Sequence, residues 1–413
     1  VKALLPYFLV ALALASCTED IAVTVPDFDP EGEVRSMAAL STLTMETMEG
    51  VYEVVEGKQL FGDEVVVKAA GGGLSLFTGR DAAYCLFVAG QADSTLHLAG
   101  YWRKQVNEET GTVRLRIEIG EGAVMLQHGK RPSPGDVIAR GSFGNAAGQA
   151  SREVVLRYLR PLYKGSTPFL ILAHRAGGRN SDRLPASENS AELVRIAERF
   201  GANGVEIDVQ LTSDGVPVIY HDESLNLRLT QKSGLVGSVS DYTLAQLESI
   251  VRLKNGERIP TLKRMLATII RQTDLRFVWL DSKSSVPLAM LRDLQRGYED
   301  SARVFGRDLT IVIGLPDEEK VNEMFAIPDY RDAHVLCELD VETTRRLDAE
   351  IWAPRWTMGT QSALVQQLQE EGRWALVWTL DDAAYIQEFL RNGRFNGMLT
   401  NYPSLVAYYY YVQ

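Results

Sequence analysis

Cysteine and histidine are both scarce in this chain, at three and five of 413 residues. Three cysteines, Cys17, Cys85 and Cys337, cannot build a disulfide framework, and Cys85 and Cys337 read as buried free thiols, one in each of two domains. Positive charge is also in deficit: 43 Lys and Arg against 54 Asp and Glu leave a net charge of -11. Such a balance argues against a nucleic-acid or anionic-membrane surface, while leaving room for a small basic pocket that takes a phosphate. Long apolar runs are lacking too; the run at residues 3–15 is too short to span a bilayer. What is present is a 46% hydrophobic content over a length that suits two domains and excludes compositional disorder.

The short apolar run has a specific reading. Lys2 precedes it and Leu14-Ala15-Ser16-Cys17 closes it, an order that resembles the bacterial lipoprotein signal. The resemblance implies removal of residues 1–16, lipidation of Cys17, and a membrane lipoprotein held outside the cytoplasm, facing the periplasm or the cell surface. Residues 17–48, with Pro26, Pro30 and Gly32, then read as a flexible tether.

From 49 to 165 the pattern alternates with period two. Val113, Leu115 and Ile117 oppose Arg114, Arg116 and Glu118, as in a half-buried antiparallel strand. Gly120-Glu121-Gly122 reads as a hairpin turn into residues 123–126, and similar short runs at 64–67, 84–88, 95–102, 137–143 and 153–158 predict a small all-β antiparallel barrel or sandwich. His97 and His128 lie in it without a constellation around them.

From 166 to 413 apolar strands alternate with helical stretches, which predicts a parallel sheet and, at this length, an α/β (β/α)8 TIM barrel. Nine strand candidates compete for eight places: 169–174, 204–211, 216–221, 276–283, 309–314, 334–338, 350–356, 375–379 and 396–400. The surplus one is expected at 334–338 or 350–356. A helix is expected over 189–200. Active sites of such barrels lie at the C-terminal strand ends. There His174 and His221 close two strands, Glu206 and Asp208 share one strand face, and so do Asp281 and Lys283. Three converging carboxylates repel one another unless a cation offsets them. Oxygen-only ligation by Glu206, Asp208 and Asp281 favours Mg²⁺ or Ca²⁺, with the two histidines as acid and base.

The segment from Ala173 to Pro403 resembles the glycerophosphodiester phosphodiesterase family, in the ordered motifs AHRAGG (173–178), SENS (187–190), GVEIDVQLTSDGVPVIYHD (204–222), IPTL (259–262), LDSK (280–283), VWTLD (377–381) and LTNYP (399–403). The resemblance implies hydrolysis of a small glycerophosphodiester to an alcohol and glycerol 3-phosphate. It implies catalytic roles for His174 and His221, metal ligation by Glu206, Asp208 and Asp281, and substrate contacts from Arg175, Lys283 and Trp378. Glu188 and Asn189 match a supporting pair. Two other readings remain open at this point: a related inositol-lipid phospholipase acting through a cyclic phosphate, and a non-catalytic phosphodiester-binding surface lipoprotein. Four positions depart from the family pattern: Ala176 for glycine, mild if the backbone needs no positive φ; Ser187 and Ser190 for Pro and Thr; and Asp281 for Glu, which shortens a ligand by one methylene.

Overall fold

A computed structural model describes residues 25–105, 109–145, 150–283 and 286–413. Residues 1–16, Cys17 and the first part of the expected tether lie outside the described residues.

Among the described residues nine strands form the first sheet: β1 (Ala38–Ala39), β2 (Gly50–Glu56), β3 (Glu64–Ala70), β4 (Gly73–Phe77), β5 (Tyr84–Ala92), β6 (Thr95–Arg103), β7 (Thr110–Ile117), β8 (Ile138–Gly144) and β9 (Ala150–Arg160). All neighbours run antiparallel, in the order β5-β4-β3-β2-β9-β8-β7-β6, and pairing of β5 with β6 closes an eight-strand barrel. The alternation of β7 explains its place: Val113, Leu115 and Ile117 fill the barrel interior while Arg114 and Arg116 face out.

Two expectations fail in this region. Residues 123–127 are not a hairpin partner but a short helix, Ala123–Gln127, entered through Gly122 at φ 103; Ala123 and Leu126 on its inner face pack into the barrel. The tether is structured from residue 30 onward. Asp29 caps a helix at Pro30–Val34, β1 pairs with β5, and Ser41 caps a helix at Thr42–Thr47 whose Thr47 hydroxyl donates to the Leu126 carbonyl at 3.1 Å.

The second sheet contains β10 (Leu170–Ala173), β11 (Gly204–Leu211), β12 (Pro217–Ile219), β13 (Phe277–Ser282), β14 (Thr310–Leu315), β15 (Val335–Cys337), β16 (Ile351–Trp352), β17 (Trp374–Val377) and β18 (Gly397–Thr400). Eight of them run parallel in the order β10-β18-β17-β16-β15-β14-β13-β11, and β10 pairs with β11 to close the ring. The surplus candidate is therefore 216–221, not either of the two around 334–356. Ser213-Asp214-Gly215 is a tight turn with Gly215 at φ 75, far too short for a crossover, so β12 folds back antiparallel on β11.

Leu170, Leu172, Trp279, Val312, Leu336 and Leu376 pack inside this ring. Val205, Ile207, Val209, Val278 and Leu280 face outward, onto helices such as Leu262–Gln272, whose Met265, Leu266 and Ile269 meet them. The expected helix over 189–200 breaks in two, Ala191–Val194 and a 3-10 turn at Ala197–Phe200. A further apolar cluster joins the two barrels: Val51, Val66, Phe77 and Tyr84 from the antiparallel one meet Ile171, Leu193, Phe200 and Leu405 from the other.

Candidate active site

Strand register brings the acidic residues together. Asp208 on β11 lies directly across from Asp281 on β13, and Glu206 lies one inward position deeper, across from Trp279. Carboxylate oxygens of Glu206, Asp208 and Asp281 come within 4.8 Å of one another. Lys283 sits among them, its Nζ 2.7 Å from Asp208 Oδ1 and 2.5 Å from Asp281 Oδ2.

Burial together with the neighbouring Asp208 and Asp281 pushes the Glu206 carboxyl well above the usual carboxylate range. Burial raises Asp281 as well, against the pull of Lys283. At Asp208 burial is outweighed by the Lys283 ammonium, and the carboxyl is held well below the ordinary value. Glu206 Oε1 is buried with no hydrogen-bond partner among the described residues, while its Oε2 accepts the Arg175 backbone N–H at 2.8 Å. An orphaned carboxylate oxygen facing two further carboxylates is a donor set that fits a hard divalent cation.

Both histidines are oriented by carboxylate-linked partners. Asn401 Nδ2 donates to Asp381 at 2.6 Å, which turns the Asn401 carbonyl oxygen toward His174 Nδ1 at 2.8 Å. His174 Nδ1–H therefore donates there, and Nε2 keeps its lone pair, 3.7 Å from Glu206 Oε2. Burial, aided by the Arg175 charge, depresses the His174 imidazole to about 4. His221 follows the β12 hairpin; its Nδ1–H donates to Asp222 Oδ1 at 2.6 Å, and its Nε2 accepts from Arg175 Nη2 at 2.7 Å. Burial would raise the Asp222 carboxyl, but Arg228, His221 and Asn226 hold it down at about 2.

Arg175 is the hub of the loop. Besides His221 it binds Glu188 Oε1 through Nη1 at 2.8 Å. Asn189 donates from Nδ2 to Asp208 Oδ2 at 2.7 Å. Glu188 and Asn189 thus each brace a different site residue. The substitution of alanine at 176 is not mild: Arg175 and Ala176 stand at φ 53 and 69, in the left-handed region where a side chain is strained. Trp378 lines the far wall, its Nε1 donating to the Ala353 carbonyl at 2.8 Å and its ring lying under the Arg355 guanidinium at 4.7 Å.

A cavity of about 460 Å³ connects these groups and extends to Asp317, Glu338 and Arg355 at the ends of β14, β15 and β16. Burial and the nearby Asp281 raise the Glu338 carboxyl to about 8. Sequence reasoning assigned no role to Asn401, Asp222, Arg228 or Glu338. Asn401 and Asp222 fall inside the LTNYP and YHD motifs, so their signal was present; Glu338 and Arg228 carry none. Cys17 lies outside the described residues.

A parallel (β/α)8 barrel thus holds at its C-terminal mouth a candidate cation-binding acidic cluster beside two oriented imidazoles. Residues 174–286 match the sequence model of the glycerophosphoryl diester phosphodiesterase family. Among curated proteins, glycerophosphodiester phosphodiesterase 1 of Mus musculus is 34% identical over 131 residues, covering 30% of this chain and 37% of the mouse protein. A glycerophosphodiester phosphodiesterase of Caldanaerobacter subterraneus subsp. tengcongensis is 36% identical over 106 residues, 24% of this chain and 40% of that protein. The chain thus spans less than half the length of these curated relatives. Among solved structures, a glycerophosphodiester phosphodiesterase from Agrobacterium tumefaciens aligns over 58% of this chain and 99% of its own, with 20% identity and a TM-score of 0.46.

Proposed function

We propose that the protein hydrolyses small glycerophosphodiesters to an alcohol and glycerol 3-phosphate. The observation that carries this reading is the convergence of Glu206, Asp208 and Asp281 beside two imidazoles inside the stretch that matches the phosphodiesterase family. Glu206, Asp208 and Asp281 would hold Mg²⁺ or Ca²⁺, which when bound polarises a phosphoryl oxygen and offsets the diester charge. Arg175 and Lys283 present cationic donors to the non-bridging oxygens. His174, neutral down to about pH 4 with its Nε2 lone pair free, takes a proton from the attacking water. His221, oriented through Nδ1 by Asp222, is the second acid/base group and hands a proton to the leaving oxygen. Trp378 and the β14–β16 wall receive the alcohol substituent.

The test is turnover of glycerophosphocholine, glycerophosphoethanolamine and glycerophosphoinositol by purified protein with Mg²⁺, Ca²⁺ or EDTA. Glycerol 3-phosphate released with a cation and abolished by EDTA is the expected result. No turnover under any cation overturns the reading, and a cyclic phosphate product replaces it with the inositol-lipid one. The sequence at Leu14 to Cys17 supports placing this activity at a membrane outside the cytoplasm, through lipid on Cys17. In a bacterial host, Cys17→Ser is expected to move the protein from the membrane to the soluble fraction; an unchanged membrane fraction overturns the anchor.

A further inference from the structure

Arg103, the last residue of β6 in the antiparallel barrel, is 0% exposed, although an arginine is among the costliest side chains to bury. Its Nη2 crosses the boundary between the barrels and donates to the backbone carbonyl of Asp182. Asp182 ends the turn Asn180–Asp182, which is tied down twice. Arg179 binds the Asp182 carboxylate through its backbone N–H at 3.0 Å and its guanidinium at 3.1 Å. Asn180 and Glu188 exchange reciprocal bonds, Asn180 N–H to Glu188 Oε2 at 2.7 Å and Glu188 N–H to Asn180 Oδ1 at 2.9 Å. Glu188 then holds Arg175, and Arg175 holds both His221 and Glu206. A continuous set of bonds therefore runs from the antiparallel barrel to one of the two imidazoles and to the acidic cluster.

The backbone along this route is strained. Arg175, Ala176, Arg183 and Asn189 all have positive φ, at 53, 69, 50 and 60, without being glycine. Such conformations persist only where the surroundings over-determine them. The residues 175–189 have the α/β barrel on one side, and on the other Arg103 donates to the Asp182 carbonyl in their turn.

We propose that Arg103 is a positioning residue for the reaction: by clamping the Asp182 carbonyl it holds the 179–189 loop, and through Glu188 the Arg175 side chain, in the orientation the site needs. The antiparallel barrel is thereby a working part of the active site and not only a neighbour of it. This inference rests on the proposed hydrolysis for its kinetic readout and stands apart from it for its structural one.

The experiment compares Arg103→Met and Arg103→Gln with Arg199→Met in the full chain. Arg199 makes equivalent contacts across the same boundary, donating to the Leu74 carbonyl at 3.0 Å and the Phe87 carbonyl at 2.8 Å, but leads to no residue of the site. Both Arg103 variants are expected to lower kcat at least about tenfold with KM within about twofold, while Arg199→Met leaves kcat within about twofold. Without substrate, hydrogen exchange of amides 179–189 is expected to speed up at least about tenfold in the Arg103 variants and to stay unchanged in Arg199→Met. Unchanged kcat and exchange in a folded Arg103 variant overturn the proposal. So does failure of both Arg103 variants to fold, which assigns the residue to stability alone. A wild type inactive on every diester sinks the function, whereas the exchange comparison still decides the role of Arg103.

Discussion

At the scale of single residues, the two imidazoles sit in unlike surroundings. His174 is half-buried beside Arg175 and depressed to about 4, while His221 has a carboxylate on Nδ1. A base works only while neutral, so its contribution disappears as pH falls through its own value in the protein. With cation at saturation, the acid limb of kcat/KM is expected below about pH 5, under the ~6.5 of an ordinary imidazole. A limb near 6.5 in the pH-rate profile takes the base role away from His174. His221→Ala and Asp208→Asn are each expected to lower kcat at least about a hundredfold with the fold intact by circular dichroism; wild-type rates in either remove that residue from the mechanism. Much of this scale was legible beforehand because the site residues come in short ordered motifs. What the motifs cannot convey is orientation: that Asn401 turns its oxygen to His174 depends on Asp381, twenty residues upstream, and that Ala176 is strained depends on φ, which a residue type only biases.

Among the elements, the period-two rule correctly put Glu206, Asp208 and Asp281 on one face, since parity in a strand needs no tertiary knowledge. It failed where connection length mattered more than pattern. The 216–221 segment is as apolar as a barrel strand, yet the Ser213-Asp214-Gly215 turn forces it back antiparallel. That hairpin delivers His221 to the mouth, with Tyr220 N–H bonded to the Asp208 carbonyl at 3.0 Å. β14 shows another kind of constraint. A Cβ on Gly314 would lie 2.3 Å from Trp279 Nε1, and Gly314 pairs with Asp281 across the strands. Gly314→Ala must push the indole aside inside a filled barrel, and is expected to cost about 1–3 kcal/mol of stability in denaturant unfolding. No loss would mean that Trp279 has room the packing does not show.

At the scale of the whole molecule, the antiparallel and parallel barrels share one apolar cluster, in which Tyr84 meets Phe200 edge-on at 5.3 Å. A shared core couples their stability. Calorimetry is expected to show one unfolding transition, and Phe200→Ala to lower the stability of both barrels together by about 3–5 kcal/mol. Two separate transitions would mean that the cluster does not bind them. The joint could not be read from sequence, because Val51, Phe77 and Tyr84 look like any other outward strand residues until a partner is placed on them. The closure of the parallel ring by β10 and β18 also has a consequence for the chain as it is made. Leu170 pairs with Gly397, and His174 takes its orientation from Asn401, so the earliest strand of the ring waits for the latest. On the ribosome, the antiparallel barrel can be complete while the ring is still open, and in a nascent chain His174 lacks its Asn401 partner until β18 and the residues after it emerge and dock. The orientation of His174 therefore arrives late in synthesis, and a chain stalled before β18 is expected to lack it.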